Sequence, residues 1–279
     1  MSNPSISIVT PSLNQGPFLR ECLKSVAKQG ISVIEHIVMD GDSTDDSMET
    51  LKAFEAECRY PLRWQSKRDR GQSDAINKGF KEAKGEIIGW LNADDRYRPG
   101  AFSAVLDAFR KHPETDVLYG DYTWIDADGE TVQQRREIGF SPFVLLYHRV
   151  LYIQTTAMFF HRRVLDAGYC LDESLHYAMD FEFFVRLSAS RHRFLHVPVF
   201  LGDFRFQPKS KTTLHPERQL QEQTDIMQLY SPVFRHCPRG MFATGMTFGL
   251  RTAAAIRRYS EKAVRGYYLT QFRTAAPTD

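Results

Sequence analysis

Four short segments of this 279-residue chain gather side chains able to do chemistry, and each follows an apolar or β-branched run: Thr10-Pro-Ser-Leu-Asn14, Asp40-Gly-Asp-Ser-Thr-Asp-Asp46, Arg68-Asp-Arg-Gly71 and Asn92-Ala-Asp-Asp95. Any one of them alone is ordinary helix-capping or turn chemistry. Four together, rich in carboxylates, amides and hydroxyls, point to a polar ligand. Asn92-Ala-Asp94-Asp95 is the sharpest, because it leaves the apolar run Ile87-Ile-Gly-Trp-Leu91 directly. Carboxylates crowded where water is scarce raise one another's pKa. A divalent cation relieves that conflict, and hard Mg²⁺ or Mn²⁺ is satisfied by one or two carboxylates plus substrate phosphates. The chain has neither GxxxxGK[ST] nor GxGxxG, which argues against a P-loop NTPase or a dinucleotide dehydrogenase. In the second half, Asp180 opens an amphipathic run with Glu182 two residues on. On the residues alone it reads as a helix N-cap, with Glu182 a first-turn carboxylate. Arg205, Lys209 and Lys211 surround a breaker-rich segment at 207–213, either a solvated basic loop or a source of cations for an anionic leaving group.

The elements that must position these residues alternate. Strands are expected at 6–10, 35–40, 62–66, 86–91 and 116–120. Helices are expected between them at 18–29, 43–58, 73–83 and 99–111. This β-α-β-α-β order implies a mostly parallel sheet wrapped by helices. In such sheets ligands bind beyond the carboxyl ends of the strands, where all four segments fall. Further on come a hairpin around Asp128-Gly129, an aromatic-rich stretch, a strand at 154–161, a helix at 180–189 and a last strand at 196–204. Trp64, Trp90 and Trp124 read as core residues, with Trp124 near a strand end.

The composition is that of a globular protein: 42% hydrophobic, 25% charged, with 36 basic and 34 acidic residues. That balance argues against a nucleic-acid binder working through bulk charge. The four cysteines have no CxxC spacing and the histidines no ligand spacing, so isolated thiols are expected. No basic-then-apolar leader and no membrane-length apolar run stands out, which places the protein in a reducing cytoplasm. Residues 231–279 carry eight Lys/Arg against Glu261 and Asp279. There Arg251, Arg258, Lys262 and Arg265 fall on one helical stripe, with Ala253, Ile256, Val264 and Tyr267 roughly opposite. Such a helix either lies on an anionic membrane, at its inner face, or packs on protein. The domain reading is one unit at residues 1–230 followed by a basic helical extension at 231–279.

Taken together, Ile8-Val-Thr-Pro-Ser-Leu-Asn14, Asp40-Gly-Asp-Ser-Thr-Asp45, Gly71-Gln-Ser-Asp-Ala-Ile-Asn-Lys-Gly79, Leu91-Asn-Ala-Asp-Asp95 and Met179-Asp-Phe-Glu-Phe-Phe-Val-Arg-Leu187 resemble the family 2 glycosyltransferases of the GT-A fold, in the expected order over residues 5–215. The resemblance implies an α/β GT-A domain and inverting, metal-dependent transfer of a sugar from a nucleotide diphosphate donor, UDP-linked, to a glycan or lipid-linked acceptor in surface polysaccharide assembly. Thr10, Pro11, Ser12 and Asn14 would then line the nucleoside pocket. Asp40 would bind the base with Asp69 close by, and Gly71 would allow close backbone approach. Asn92, Ala93 and Asp94 take the DxD positions, with Asp94 the ligand of Mg²⁺ or Mn²⁺ and Asn92 nearer the ribose. Asp95 would hold the donor sugar, Lys209 and Lys211 the diphosphate, and Asp180 would deprotonate the acceptor hydroxyl. Two departures stand out: Asn92 where Asp is commoner, and Gln207 where a His commonly stands. A nucleotidyltransferase would want a cation in the loop after the first strand, which Pro11-Ser-Leu-Asn-Gln-Gly16 lacks. An inactive membrane-associated scaffold is disfavoured by the intact Asp94, Asp95 and Asp180.

Overall fold

The computed structural model describes residues 5–30, 33–207, 211–234 and 241–268. Its first half follows the expected alternation. The elements are β1 (Ile6–Ser12), α1 (Gly16–Ala27), β2 (Val33–Asp40), α2 (Ser47–Glu57), β3 (Leu62–Ser66), α3 (Gln72–Glu82), β4 (Ile87–Trp90), a short β5 (Arg96–Tyr97) and α4 (Ala101–Lys111). The second half holds β6 (Val117–Ile125), β7 (Thr131–Arg135), α5 (Pro142–His148), a 3₁₀ turn (Thr155–Ala157), β8 (Met158–His161), α6 (Arg163–Asp166), α7 (Met179–Ala189), β9 (Phe194–Arg205), α8 (Lys211–Leu214), α9 (Pro216–Tyr230) and α10 (Met241–Val264).

One sheet runs through the molecule in the order β3-β2-β1-β4-β8-β6-β9-β5, with β7 paired to β6 off this path. Strands β3, β2, β1 and β4 are parallel. The register sets Ser12 beside Asp40 and Asp40 beside Ser66, so three polar strand ends form one row. The fold class is therefore as expected, but the far half differs from a simple parallel continuation. The strand expected at 116–120 does not adjoin β4. Antiparallel β8 lies between them. The strand expected at 154–161 begins as the 3₁₀ turn and pairs only from Met158. Asp128-Gly129 does form the hairpin turn, with Gly129 at φ +87°.

Side-chain alternation along the strands loads both faces of the sheet. Ile8, Ile87, Leu91 and Phe159 meet α1 and α4 on one face. Val9, Ile88, Trp90, Met158 and Phe160 meet α3 and α7 on the other. Gly79 lets α3 press against β1, because a Cβ there would sit 2.3 Å from Val9 Cγ1.

The C-terminal helix packs on the rest of the chain. Tyr147, Met227, Phe234 and Ala254 form one apolar cluster that joins α5, α9 and α10 across residue 230. Beside it, Arg258 donates to both oxygens of the fully buried Glu137 (2.8 and 2.7 Å), and Lys262 pairs with the same carboxylate at 3.0 Å. Of the two readings of the basic stripe, packing on protein holds for Arg258 and Lys262, which supply two cations to the interior. Burial, opposed by Glu137, pushes Lys262 down to about 8. No helix among the described residues is long and apolar enough to cross a membrane. Substituting Glu137→Gln leaves both cations without an anion, and breaking a buried pair in this way costs about 3–5 kcal/mol. Urea unfolding that shows a loss below about 1 kcal/mol would mean that this triad does not hold α10 to the domain.

Candidate functional site

The loops after β1 to β4 open on one edge, and hydrogen bonds between them explain their composition. Asp40 accepts from Ser43 N (2.9 Å), Ser43 Oγ (2.6 Å) and Ser66 Oγ (2.6 Å), which turns the chain sharply after β2. Asn14, at φ +52°, clamps that turn from the β1 side: its Oδ1 accepts from Thr44 N at 2.9 Å, and its own N–H donates to Ser43 Oγ at 2.8 Å. Asp45 then accepts from Gly16 N and Ser47 N. Burial raises its pKa, but its bonds from Ser47 and Gly16 outweigh this and hold it below the usual range. Thr10 and Pro11 are buried, and Thr10 Oγ1 is bonded to His36 Nε2 at 2.8 Å. Ser12 is 4% exposed, and its hydroxyl has no hydrogen-bond partner among the described residues. Asp40 and Asp69 share a cleft of about 130 Å³ with Gln65, Lys67 and Lys78, three residues that sequence reasoning passed over.

Gly71 has a conformational reason to be glycine. It sits at φ +129° at the start of α3, and its N–H donates to Asp69 Oδ1 at 2.8 Å. The helix that follows fastens the loop before α7 to this edge. Ser73 donates to the carbonyl of Leu175 at 3.3 Å. Asn77 exchanges bonds with both backbone groups of Leu171 (3.0 and 2.9 Å) and donates to Glu173 at 3.1 Å. Gln72 reaches across to Asn92 Oδ1 at 3.1 Å.

The Asn92–Asp95 turn divides its residues between site and scaffold. Asn92 Oδ1 also accepts from Trp90 Nε1 at 3.0 Å. Ala93 is buried in the cluster with Leu19 and Val38, so its side chain belongs to the core. Asp95 is 2% exposed and accepts from Arg205 N at 2.8 Å, which places its carboxylate under the site, fastening β9. Burial pushes it well above the usual range, and Asp94 adds to this. Asp94 is partly exposed; burial raises its carboxyl too, and its Oδ2 accepts from Gln207 Nε2 at 2.6 Å. Among the described residues no group of three His, Cys, Asp or Glu gathers as a ready-made metal cage. Asp94 offers one hard oxygen ligand, which suits Mg²⁺ or Mn²⁺ completed by substrate phosphates.

Arg205 is not a cation free to meet a ligand. Its side chain is 1% exposed. It donates to the carbonyls of Asp94 (2.8 Å), Asp126 and Ala127 (both 2.9 Å), pairs with Glu21, and stacks over Phe18. Lys209 lies outside the described residues. Lys211 of α8 places its ammonium 5.0 Å from the centre of the Tyr177 ring, in the loop before α7.

Asp180 lies in the first turn of α7, partly exposed, and accepts from Phe181 N at 2.7 Å. The helix N-cap is Ala178, which has no capping side chain. Glu222 of α9 does that work from outside: its carboxylate accepts from the N–H groups of His176 (3.0 Å), Tyr177 (2.8 Å) and Ala178 (2.8 Å). Nothing near residue 178 in the sequence signals a partner over forty residues away. Burial, opposed by the Phe181 bond and reinforced by the charge of Glu222, pushes Asp180 up to about 6. That is a suitable value for a base working near neutral pH.

Arg205→Lys keeps the charge but loses the planar fork of donors. Leaving two or more buried carbonyls unpaired costs about 1–3 kcal/mol each. Thermal unfolding should show a loss of at least about 2 kcal/mol; an unchanged midpoint would remove Arg205 as the fastening of this edge.

Comparison with known proteins bears on the family and the fold. Residues 7–169, more than half of the chain, match the profile of "Glycosyl transferase family 2". A PGL/p-HBAD biosynthesis glycosyltransferase of Mycobacterium bovis is 33% identical over 122 residues, covering 43% of this chain and 48% of that protein. The chain thus spans about half the length, or less, of the curated relatives it matches. Among solved structures, S. aureus TarS 1-349 in complex with UDP-GlcNAc superposes with a TM-score of 0.63 at 16% identity, over 95% of this chain and 75% of that one. The mannosyltransferase PcManGT from Pyrobaculum calidifontis, in complex with GDP-Man and Mn²⁺, gives 0.58 at 14% identity, over 94% and 83%. At these identities the likeness is one of fold.

Proposed function

The chain belongs to glycosyl transferase family 2, and from that premise we propose that it moves a sugar, with inversion, from a UDP-linked donor to a hydroxyl of a glycan or lipid-linked acceptor in surface glycan assembly. The observation that carries this reading is the meeting of two groups of residues at one sheet edge. Asp40, Asp69, Asn92 and Asp94 end the parallel strands or lie in the loops that leave them. The loop leading to Asp180 is bonded to α3, which starts in that row. The UDP-GlcNAc complex of TarS and the GDP-Man complex of PcManGT support a nucleotide-sugar donor, and the family match supports the class of reaction.

Each residue has a part that its surroundings favour. The cleft beside Asp40 and Asp69 takes the base and ribose, with Asp40 held rigid by Ser43 and Ser66. Asn92 is fixed at its oxygen by Trp90 and Gln72 and at its amide nitrogen by Asp95, which holds this turn rigid beside Asp94. Asp94 would hold Mg²⁺ or Mn²⁺, which when bound supplies Lewis-acid stabilisation of the departing diphosphate. A nucleoside diphosphate leaves without needing a proton, so one base suffices and no second carboxylic acid is required. Asp180 is that base: it takes the acceptor's hydroxyl proton as the oxygen attacks the anomeric carbon from the face opposite the diphosphate. Glu222 positions it by pinning the preceding loop.

A panel of nucleotide-sugars, read by release of nucleoside diphosphate, identifies the donor. Asp94→Asn should abolish metal-dependent donor binding in calorimetry while the fold survives; unchanged metal dependence would remove Asp94 as the ligand. Asp180→Asn should preserve the donor Kd and cut turnover by ~10²–10⁴. Transfer near the wild-type rate would leave Asp180 a helix-turn carboxylate and remove it as the base. Because Asp180 acts deprotonated and sits at about 6, turnover should fall as pH drops through that value. In Glu222→Gln this acid limb should move to lower pH, since the charge that helps raise Asp180 is gone. A limb at the same pH would leave Glu222 a purely structural cap.

A further inference from the structure

Helix α10 is inside out relative to its charge pattern. Arg258 and Lys262 are buried on Glu137, while Phe248 (72% exposed), Ile256 (61%), Tyr259 (51%) and Val264 (89%) face solvent. Phe248, Thr252, Ile256, Tyr259 and Ala263 line a shallow open cleft of about 650 Å³ along the helix. Single exposed apolar residues are normal, but a continuous apolar stripe marks a contact surface.

The charges bordering the stripe have one sign. Arg251 lines the cleft, and Arg257 is exposed farther along the helix. Neither has an ion-pair or hydrogen-bond partner among the described residues. Arg149 at the end of α5 lies close enough to Arg251 for the two cations to repel, and its Nε is buried without a hydrogen-bond partner. The one carboxylate among the described residues of the helix, Glu261, is taken by Arg265 and by the N–H of Gly139. An apolar stripe edged by unpaired arginines, with no free acid, complements an amphiphile with a negative head. A second copy of the helix is a poor partner, because a symmetric pairing would bring these cations together with no free carboxylate between them.

We propose that α10 lays its outward apolar stripe on an anionic lipid surface, with Arg149, Arg251 and Arg257 meeting the head groups. The contact stands on this helix and its neighbours alone; only its use, to present a lipid-linked acceptor to the site, rests on the glycosyl-transfer reading. The buried cations Arg258 and Lys262 have no part in the contact. They hold the helix so that its apolar side faces out.

Co-sedimentation of the full chain with phosphatidylglycerol-rich and with pure phosphatidylcholine vesicles tests this without donor or acceptor, so its failure leaves nucleotide-sugar binding untouched. The chain should pellet with the anionic vesicles only, and less at high salt. Arg251→Gln and Arg257→Gln should each weaken partitioning roughly fivefold. Phe248→Ser combined with Ile256→Ser should abolish it. All four positions are exposed, so melting temperatures should not move. Equal binding to both vesicle types, or binding unaltered in these variants, overturns the proposal. So does a dimer in sedimentation velocity that the Phe248/Ile256 variant dissociates, for then the stripe is a contact between copies.

Discussion

One buried guanidinium fastens the two halves of this molecule at the site. Arg205 ends β9, in the mixed half of the sheet, yet its side chain bonds to Glu21 of α1, to the Asp94 carbonyl after β4 and to two carbonyls of the β6–β7 turn. Its own N–H is held by Asp95. An isolated buried cation would be prohibitive, but here the fork finds an acceptor in each direction and an aromatic face above it. The consequence is division of labour within Asn92–Asp95. Asp95 gives its carboxylate to the backbone of β9, which leaves Asp94, one residue earlier, as the carboxylate offered to the site. Of these two adjacent acids, the strand that Arg205 ends takes Asp95 and leaves Asp94 partly exposed.

The half of the site around α7 is assembled by a different logic. Gly71-Gln-Ser-Asp-Ala-Ile-Asn-Lys-Gly79 reads as a binding motif, yet most of its polar side chains bond to protein. Gln72 holds Asn92, Ser73 and Asn77 hold the 171–175 loop, and Asp74 is taken by Arg70 and Lys78. Gly79 serves close packing against Val9. The motif therefore acts on chemistry at one remove, by fixing where the loop before Asp180 lies. Glu222 completes that loop with three backbone N–H bonds. A carboxylate that receives three donors is well satisfied, so its charge can stand near Asp180 and raise its pKa without opening the helix end.

What was legible in the sequence is what local pattern determines. Apolar runs of strand length, helical periodicity and polar clusters at the carboxyl ends located β1 to β4 and the residues that leave them, and the register then set Ser12, Asp40 and Ser66 in a row. What was not legible depends on partners far along the chain. The insertion of β8 between β4 and β6 cannot be read from Met158–His161, whose apolar run suits either strand direction. Arg205 looks like one of several loop cations until its four acceptors are seen. Thr10 and Ala93 share motifs with ligand-binding positions, yet His36 and Leu19 claim them for the interior. Glu222 belongs to a helix with no local mark of function.

The C-terminal helix shows how a charge pattern can be read with the wrong hand. Cations on one stripe and apolar residues opposite are consistent with two orientations, and ordinary hydropathy favours the one with charges outward. The choice is reversed here by Glu137, a single carboxylate 121 residues before Arg258, buried where α10 must pack. Once that anion is interior, desolvation makes an unpaired state costly, and two cations on the passing helix become the residues that satisfy it. The apolar stripe is then turned outward by default. The energetics that hold the helix to its domain and the surface that it offers beyond the domain are thus set by the same buried charge.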